Sequence, residues 1–264
     1  KDLFSDQTGE ELVKEACQVA EEKLTAKPAK GGQHTVILDP KLVGVLAHEA
    51  IGHTAEADFV LSGSIVKGKL GEQVASELIT LVDEGAVEGA SGMLLVDDEG
   101  TVAKRSMIIE QGILKEYLHN RESAYLFASE PKGNARAFTY RDEPLIRMTN
   151  TFILPGEDNL EEMIAGVENG YYLKGLEGGG QADATAEFMF GVLEAYEIEE
   201  GEIGDMVTGV TISGQAFDVL KSVDAVSQKS AIGLGRGYCG KWQPAKVDAG
   251  GPYLRCQVTV GGQQ

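Results

Sequence analysis

The segment DPKLVGVLAHEAIGHTAEADF, residues 39–59, decides the fold of this chain. Asp39 followed by Pro40 is typical of a helix N-cap and of the first helical position. The apolar side chains that follow, within residues 42–46, predict that this helix is buried. We therefore expect the rest of the chain to be built around it.

The same helix carries a candidate metal site. His48, Glu49 and His53 occur in the order H-E-x-x-x-H, and they include two of the four histidines of the chain. Imidazole pairs bind zinc, and a carboxylate beside the first ligand can act as the base for a metal-bound water. The spacing is one residue longer than in the common H-E-x-x-H motif.

That additional residue has a geometric consequence. On a regular α-helix, positions i and i+5 are rotated by about 140° from each other, so His48 and His53 would not converge on one ion. A π-type turn with i→i+5 hydrogen bonds would restore convergence. The spacing predicts a π-bulge or a distorted turn near Ala50–His53, with Gly52 easing the distortion. The alternative is a helix with two unrelated histidines, one facing the core and one facing solvent.

Composition limits the architecture. The chain has 264 residues, enough for one large domain or two smaller ones. Thirty-four glycines with few aromatic residues indicate a turn-rich, strand-rich body rather than a helical bundle. Since no internal repeat or linker is recognisable, we predict a single domain over residues 1–264. Its predicted class is α+β: a β-rich antiparallel sheet or barrel-like body with a buried metal-binding helix and a few flanking helices.

Charge and cysteine content exclude several classes of protein. The net charge of −19 argues against nucleic acid or an anionic membrane as partner, because basic patches drive binding to phosphate. Its simplest consequence is solubility. Three cysteines without paired spacing predict a reducing compartment and no disulfide framework. We find no apolar run long enough to span a membrane and no signal peptide, and we expect that a segment before Lys1 was removed or not included.

Periodicity along the chain predicts the remaining elements. Helices are expected at Thr8–Ala26, Arg121–Ala128, Asn159–Val167 and Ala216–Val226. Strands are expected at His34–Leu38, Ile146–Leu154, Thr185–Ile198, Val207–Ser213 and Tyr253–Val260, with hairpin turns at 110–112 and 200–201. The first helix should pack its apolar face, which includes Leu12 and Leu24, together with Cys17. The polar, glycine-rich segment Ser62–Gly71 is a candidate mobile flap over the site.

A catalytic zinc site needs a third protein ligand. The candidates are the three cysteines, His119 and many acids. Cys256 lies in the strand YLRCQVTV, where a core role is expected, and His34 is expected to be an ordinary strand residue. Cys239 lies in GLGRGYCGK, residues 233–241, a glycine-dense loop that can bend to present a thiolate to an ion. The alternative for Cys239 is a buried loop cysteine.

Two acids and a run of glycines lie near these motifs. Glu56 and Asp58 either orient a ligand histidine through its second ring nitrogen or are surface acids. Gly178–Gly180 lack the lysine–serine pair of a phosphate loop. Bare backbone of this kind can lie close to another extended chain.

The chain resembles the TldD/PmbA metallopeptidases, in particular their TldD-type catalytic subunit. The resemblance covers almost the whole sequence, and the order of its motifs makes it specific. The matching stretches are VLAHEAIGHTAEADF (45–59), GEQVAS (71–76), DDEGT (97–101), EQGILKEYL (110–118), RMTNTFILPG (147–156), GGGQ (178–181), AYEIEEGEI (195–203), GYCGKWQP (237–244) and GGPYLRCQVTVGG (250–262).

This resemblance implies a zinc ion held by His48, His53 and Cys239, with Glu49 as the catalytic acid and base. It implies a cytoplasmic peptidase that cleaves small or unfolded peptides entering as extended strands. It also implies a homodimer, or a heterodimer with a related TldE-like subunit, and no DNA binding. Family chains carry an additional α/β domain before the position of Lys1, so the chain corresponds to the carboxy-terminal, metal-bearing part.

Two alternatives stay open. One is a non-catalytic or incomplete subunit of a TldD/TldE-like complex that binds peptide or a partner. The other is an interaction protein whose zinc is structural, held by four protein ligands instead of three and a water. The group that stabilises the oxyanion is also open, with Tyr238, Tyr253 and Arg236 as candidates.

Overall fold

The structure, a computed structural model, describes residues 9–179, 185–233 and 237–262. Within them the helices are α1 (Gly9–Thr25), α2 (Pro40–Val45), a π-helix (Leu46–Gly52), a 3-10 turn (His53–Ala55), α3 (Ala57–Leu61), α4 (Arg121–Leu126), α5 (Leu160–Ala165) and α6 (Ala216–Lys221). The strands are β1 (Lys27–Pro28), β2 (Gly32–Leu38), β3 (Leu81–Asp83), β4 (Ser106–Glu110), β5 (Ile113–Leu114), β6 (Ala135–Arg136), β7 (Leu145–Ile146), β8 (Asn150–Ile153), β9 (Asn169–Gly179), β10 (Glu187–Glu199), β11 (Glu202–Thr208), β12 (Thr211–Gln215), β13 (Ala225–Ile232), β14 (Tyr238–Lys241), β15 (Gln243–Lys246) and β16 (Asp248–Gly261). Across these ranges, none of the helices combines the length and the hydropathy that a membrane span requires.

Five of the strands close into a barrel. β2, β9, β10, β12 and β16 are hydrogen-bonded in a ring. The pairing of β2 with β9 is parallel and the other pairings in the ring are antiparallel. A ring with an odd number of strands requires a parallel pairing, because strand directions cannot alternate all the way round. The predicted α+β class with a β-rich, barrel-like body is confirmed.

The barrel has an apolar interior because side chains alternate across each strand. Val36 and Leu38 of β2 belong to the main core cluster, together with Phe188 and Phe190 of β10. Ile37, between the first two, points to the opposite side and joins a smaller cluster against α5. The strand pattern therefore separates the barrel interior from its helix-covered outer face.

The helix α2 crosses β16 at very close range. Asp39 caps α2 as predicted, since its Oδ1 accepts a hydrogen bond of 2.9 Å from the backbone N–H of Leu42. A Cβ added to Gly44 would lie 2.7 Å from the backbone nitrogen of Gly250 in β16. Glycine at both positions permits this approach of backbone to backbone. The crossing fixes the π-helix, which continues α2, against the barrel.

A second arm of the sheet leaves the barrel through β16. The first residues of β16 pair in parallel with β8, and the sheet continues through β3, β4 and β5. β8 begins only at Asn150, because Thr149 donates its N–H and its hydroxyl to the buried carboxylate of Asp83 instead of to a strand. The uninterrupted strand predicted over Ile146–Leu154 is therefore wrong.

Two further elements are divided differently from the prediction. Val207–Ser213 is not one strand, because Gly209 adopts a φ of 71° and turns the chain from β11 into β12. The helix predicted over Ala216–Val226 ends at Lys221, and Ala225 instead pairs with Arg255 at the start of β13. In both places, pairing with a distant strand decides the local conformation.

Both predicted hairpin turns are confirmed. Gln111 and Gly112 have φ values of 46° and 80°, and Glu200 and Gly201 have values of 51° and 83°. Two consecutive residues with positive φ are typical of the tight turns that join antiparallel strands. The helices α4 and α5 also lie within their predicted ranges.

The first helix is present, but its predicted packing is wrong. α1 spans Gly9–Thr25, and the predicted first residue, Thr8, lies outside the described residues. No residue of α1 is buried, and Leu24 is 86% exposed. Cys17 is exposed too, not packed as a small hydrophobe. The amphipathic pattern predicted the helix correctly, whereas its apolar face has no covering element within the described ranges.

Candidate metal centre

A π-helix joins the two histidines of the motif. The backbone N–H of His53 donates to the carbonyl oxygen of His48, which is an i→i+5 hydrogen bond. The two imidazole rings consequently lie 5.2 Å apart, centre to centre. The widened turn predicted from the spacing is confirmed, and the alternative of two unrelated histidines on opposite sides of a helix is wrong.

Gly52 has a different role from the predicted one. Its φ of −56° and ψ of −50° are right-handed helical, a conformation that any residue adopts. A Cβ at this position would overlap the sulfur of Met148, which is itself buried. Gly52 therefore makes room for Met148 and is not needed to widen the turn.

Cys239 reaches the histidines from the other end of the chain. It lies on β14, which forms a hairpin with β15, so the predicted glycine loop is a strand at this point. Its Sγ is 3.1 Å from Nε2 of His53. One ligand atom from each of His48, His53 and Cys239 lies within 4.8 Å of the other two. The fold thus brings together all three residues that the sequence indicates as ligands.

The donor atoms at this point fit a zinc ion. His48 is only 4% exposed, and neither of its ring nitrogens has a hydrogen-bond partner among the described residues. A buried polar atom left unsatisfied costs roughly 1–3 kcal/mol, so such atoms normally have a partner. Two imidazoles and a thiolate are typical zinc ligands. The arrangement fits a metal-binding centre with three protein ligands.

Electrostatics favour a cation between these ligands. Burial, together with the charges of His53 and Arg147, lowers the pKa of His48 well below its ordinary value, so its imidazole is neutral and able to ligate. Burial also opposes charge on His53, but the carboxylate of Glu56 and the contact with Cys239 outweigh it and raise the pKa of His53 to about 10. The same negative groups would stabilise a metal cation at Nε2.

Glu49 lies at the edge of the three ligands. Its Oε2 is 3.8 Å from Nε2 of His53. Burial raises the pKa of the Glu49 carboxyl, the charge of His53 opposes this shift, and the carboxylate of Glu56 adds to it. A carboxyl with a raised pKa suits a group that takes up and returns a proton near neutral pH.

The two acids that close the motif have different surroundings. Glu56 is completely buried, and its Oε2 lies 2.7 Å from Nδ1 of His53. This hydrogen bond orients the ring and leaves Nε2 to face Cys239. Asp58 pairs instead with Lys241, at 2.6 Å. Of the two alternatives, the orienting role fits Glu56. Among the described residues, Asp58 connects to the histidine through Lys241 and Glu56.

A cavity of about 570 Å³ adjoins the centre at His48 and Glu49. Most of its wall is apolar, and the apolar side chains are those of Val45, Leu176, Leu193, Val247 and Ala249. Lys41 and Tyr238 also line it, with the backbone of two glycines, Gly175 and Gly237. A molecule bound in this cavity would meet mainly apolar surface beside the carboxylate of Glu49.

One of the predicted oxyanion candidates lines this cavity, and the predicted flap does not. Of the oxyanion candidates, Tyr238 lines the cavity, Tyr253 packs against Tyr172, and Arg236 lies outside the described residues. No residue of Ser62–Gly71 lines it. Ser64 and Val66 of that segment are buried, and the hydroxyl of Tyr117 donates to the carbonyl of Val66 at 2.6 Å. The segment packs on the body instead of covering the site.

The remaining ligand candidates lie elsewhere. His119 is buried beside Ser123, with Nδ1 3.1 Å from its hydroxyl, and burial lowers the pKa of His119 to about 4. His34 packs its ring against Tyr171. Cys256 is buried in β16, where burial raises the pKa of its thiol to about 12, so the predicted core role is confirmed.

Two residues of the site are absent from the prediction. Arg147 is 1% exposed, and its guanidinium donates to the carbonyl oxygen of Cys239 at 2.7 Å and to that of Gln243 at 2.5 Å. It therefore holds the hairpin in place. Lys241 is buried against Glu56. Its position two residues after Cys239 is a signal, because such residues share one face of a strand.

Comparison with known proteins identifies the family. Residues 31–262 match the model of the PmbA/TldA metallopeptidase C-terminal domain. A metalloprotease of Methanocaldococcus jannaschii is 44% identical over 94% of this chain and 55% of its own length. A zinc metalloprotease TldD homologue of Saccharolobus solfataricus is 36% identical over 91% of this chain and 54% of its own length. The chain therefore belongs to the PmbA/TldD metallopeptidase family, and it spans about half the length of the curated relatives it matches.

Solved structures share the fold. TldE from Thermococcus kodakarensis has a TM-score of 0.78 at 22% sequence identity, over 96% of this chain and 55% of its own. A Thermotoga maritima protein has the same TM-score at 25% identity, over 97% of this chain and 56% of its own. The fold of this chain is thus shared by proteins of Thermotoga maritima and Thermococcus kodakarensis.

Proposed function

We propose that residues 1–264 form one domain, the metal-bearing catalytic part of a zinc-dependent peptidase that hydrolyses small or unfolded peptides. His48, His53 and Cys239 would hold the zinc, and Glu49 would act as acid and base. The observation that carries the proposal is the convergence of three ligand atoms within 4.8 Å, with a carboxylate of raised pKa beside them.

The chemistry follows from the residues present. Zinc, when bound, supplies a Lewis acid that polarises a peptide carbonyl and lowers the pKa of water. Glu49 accepts a proton from the attacking water as the new C–O bond forms, and it donates that proton to the amine nitrogen as the C–N bond breaks. Glu56 keeps His53 in its orientation throughout, since it bonds the ring nitrogen that faces away from Cys239.

The cavity supports a peptide substrate. Its apolar wall, which includes Val45, Leu193 and Val247, suits a medium-sized apolar side chain next to the bond to be cleaved. Gly175 and Gly237 offer bare backbone at the same wall. Backbone hydrogen bonds of this kind hold extended peptides with little dependence on sequence, which favours small or unfolded peptides as substrates.

The proposal includes a partner and a location. The chain would pair with a copy of itself or with a related TldE-like subunit, and it would work in the cytoplasm. The shared fold of the Thermococcus TldE supports pairing between related chains. The three free cysteines are compatible with a reducing compartment. Light scattering of the protein alone and with a related subunit would measure the assembly.

Metal analysis combined with peptide cleavage tests the function. We expect about one zinc per chain and cleavage of an unstructured peptide. Glu49→Gln should keep its zinc and lose about 10²- to 10⁴-fold in kcat, the usual contribution of an acid–base group. Cys239→Ser should bind zinc more weakly, because it removes the thiolate.

A matched control separates the specific role of Glu49 from the general effect of removing one negative charge. Glu202→Gln makes the same chemical change at an exposed position on β11, and it should alter neither zinc content nor cleavage. Cleavage at the wild-type rate by Glu49→Gln would remove Glu49 from the mechanism. Zinc binding by the wild type without any cleavage would favour the alternative of a binding subunit.

A further inference from the structure

The hairpin that carries Cys239 also carries a buried lysine. Lys241 is 5% exposed, although lysines are rarely buried unless they are paired. Its Nζ lies 3.1 Å from Oε2 of Glu56, 2.6 Å from Oδ2 of Asp58 and 2.8 Å from the carbonyl oxygen of Ile146. Each of the three N–H donors of the ammonium group therefore has an acceptor.

The surroundings of Lys241 come from the segment that follows the metal-binding helix. Nζ lies 4.7 Å from the ring centre of Phe59, a cation–π distance. The ring of Phe59 in turn meets that of His53 edge-on, with centres 6.2 Å apart. The lysine is thus enclosed by the residues that surround one metal ligand.

His53 and Lys241 share one acceptor. Oε2 of Glu56 lies 2.7 Å from Nδ1 of His53 and 3.1 Å from Nζ of Lys241. The other ring nitrogen, Nε2, lies 3.1 Å from Sγ of Cys239. Since Cys239 and Lys241 project from the same face of β14, the hairpin reaches both nitrogens of the ring, one directly and one through Glu56.

We infer that Lys241 is a positioning residue of the metal centre. Through Glu56, Lys241 holds the imidazole of His53 so that Nε2 points to the ion. The inference rests on the zinc site of the proposed function and adds a residue that does not touch the ion. Oε1 of Glu56 has no partner among the described residues. Without Lys241, the buried carboxylate keeps only His53 as a side-chain hydrogen-bond partner within the described ranges, and it loses the contact that fixes its position.

Replacing Lys241 with methionine tests this role, because the change keeps the length of the side chain and removes its charge and donors. Zinc affinity is measured by competition with a chelator, and Co²⁺ in the same site reports ligand geometry through its visible spectrum. We expect a loss of about 10- to 100-fold in affinity, as for other residues that orient a ligand, and a changed cobalt spectrum. Glu56→Gln should give a similar loss, and the double variant should lose less than the two single losses combined.

Lys132→Met is the matched control. Lys132 is a less buried lysine that likewise pairs with a carboxylate, that of Glu116, and both residues lie away from the three ligands. This variant should keep the wild-type affinity and spectrum. Unfolding of the chelator-treated proteins adds a second readout: a lysine with a merely structural role would lower stability in the Lys241→Met protein and leave its cobalt spectrum unchanged.

The outcomes distinguish a failure of the proposed zinc site from a failure of the positioning role of Lys241. A wild-type protein that binds no zinc overturns the proposed function and this inference together. A wild type that binds zinc, with Lys241→Met at the same affinity and spectrum, overturns only the positioning role. If Lys241→Met does not fold, Asp58→Ala provides the test, since it removes one acceptor of Nζ and leaves Glu56 and His53 in place. A smaller shift in the same direction is expected, and an unchanged spectrum overturns the inference.

Discussion

Replacing Gly44 with alanine should destabilise the protein, although alanine favours helices. The added Cβ would lie 2.7 Å from the nitrogen of Gly250, 2.9 Å from its Cα and 3.0 Å from the carbonyl carbon of Ala249. Carbon atoms in ordinary contact are about 3.5–4.0 Å apart, so the helix and the strand would have to separate by about 1 Å. Backbone cannot rotate away as a side chain can.

Two opposing free-energy terms decide whether Gly44→Ala is more or less stable than the wild type. The gain in helix propensity from glycine to alanine is about 1 kcal/mol. Overpacking costs about 1–3 kcal/mol, and we expect the upper end here, because all three contacts are with backbone. The net loss is then about 1–2 kcal/mol. Zinc affinity should also fall, since α2 runs directly into the π-helix that carries His48.

Denaturant unfolding of the chelator-treated protein measures the first effect, and chelator competition measures the second. Gly9→Ala is the matched control: it also lies in a helix, and its Cβ would meet nothing within 4 Å. We expect no loss of stability for this variant. If Gly44→Ala were more stable than the wild type by the full propensity gain, the close crossing of α2 and β16 would not limit the fold.

Two further predictions concern regions outside the metal centre. Burial lowers the pKa of His119 from 6.5 to about 4. Between these values His119 binds fewer protons in the folded protein than in the unfolded chain, so its contribution to stability falls as the pH is lowered from 6.5 to 4. At about 1.4 kcal/mol per pH unit, His119 accounts for a loss of up to about 3 kcal/mol. His119→Asn should therefore show a shallower decline in urea unfolding over this range, and an unchanged decline would contradict the shifted pKa. Leu24→Ser should change the stability of this chain by less than about 0.5 kcal/mol, because Leu24 is 86% exposed on a helix with no buried residue. A loss above about 1 kcal/mol in thermal unfolding would show that the apolar face of α1 is covered.

The structure could be predicted from the sequence where it depends on residues close together in the chain. The H-E-x-x-x-H spacing predicts the π-helix because convergence of His48 and His53 requires an i→i+5 turn, and the structure has that turn. Asp39 and Pro40 likewise predict the start of α2 from the demands of a helix end. The two hairpin turns are predictable for a similar reason, since their second residues, Gly112 and Gly201, adopt a positive φ that favours glycine.

Prediction from the residues fails where a distant contact decides. The carboxylate of Asp83 ends a strand pattern at Thr149, and these residues are 66 positions apart. Cys239 meets His53 across 186 positions. Its glycine-rich surroundings make it a candidate ligand, but they leave open the alternative of a buried loop cysteine, and the resemblance to a family is needed to decide between the two. Gly52 is a second example, because glycine is required there by contact with the sulfur of Met148 and not by the backbone conformation of Gly52.

The metal centre consists of a local half and a remote half. His48, His53 and Glu56 lie on consecutive turns, where the 3-10 turn after the π-helix brings Glu56 back to Nδ1 of His53. Cys239 and Lys241 arrive together on one strand, which Arg147 holds by its backbone. If Cys239 is a zinc ligand and Lys241 orients His53, as proposed, docking of this one hairpin brings both contacts into place together. Metal binding would then be coupled to the docking of the hairpin.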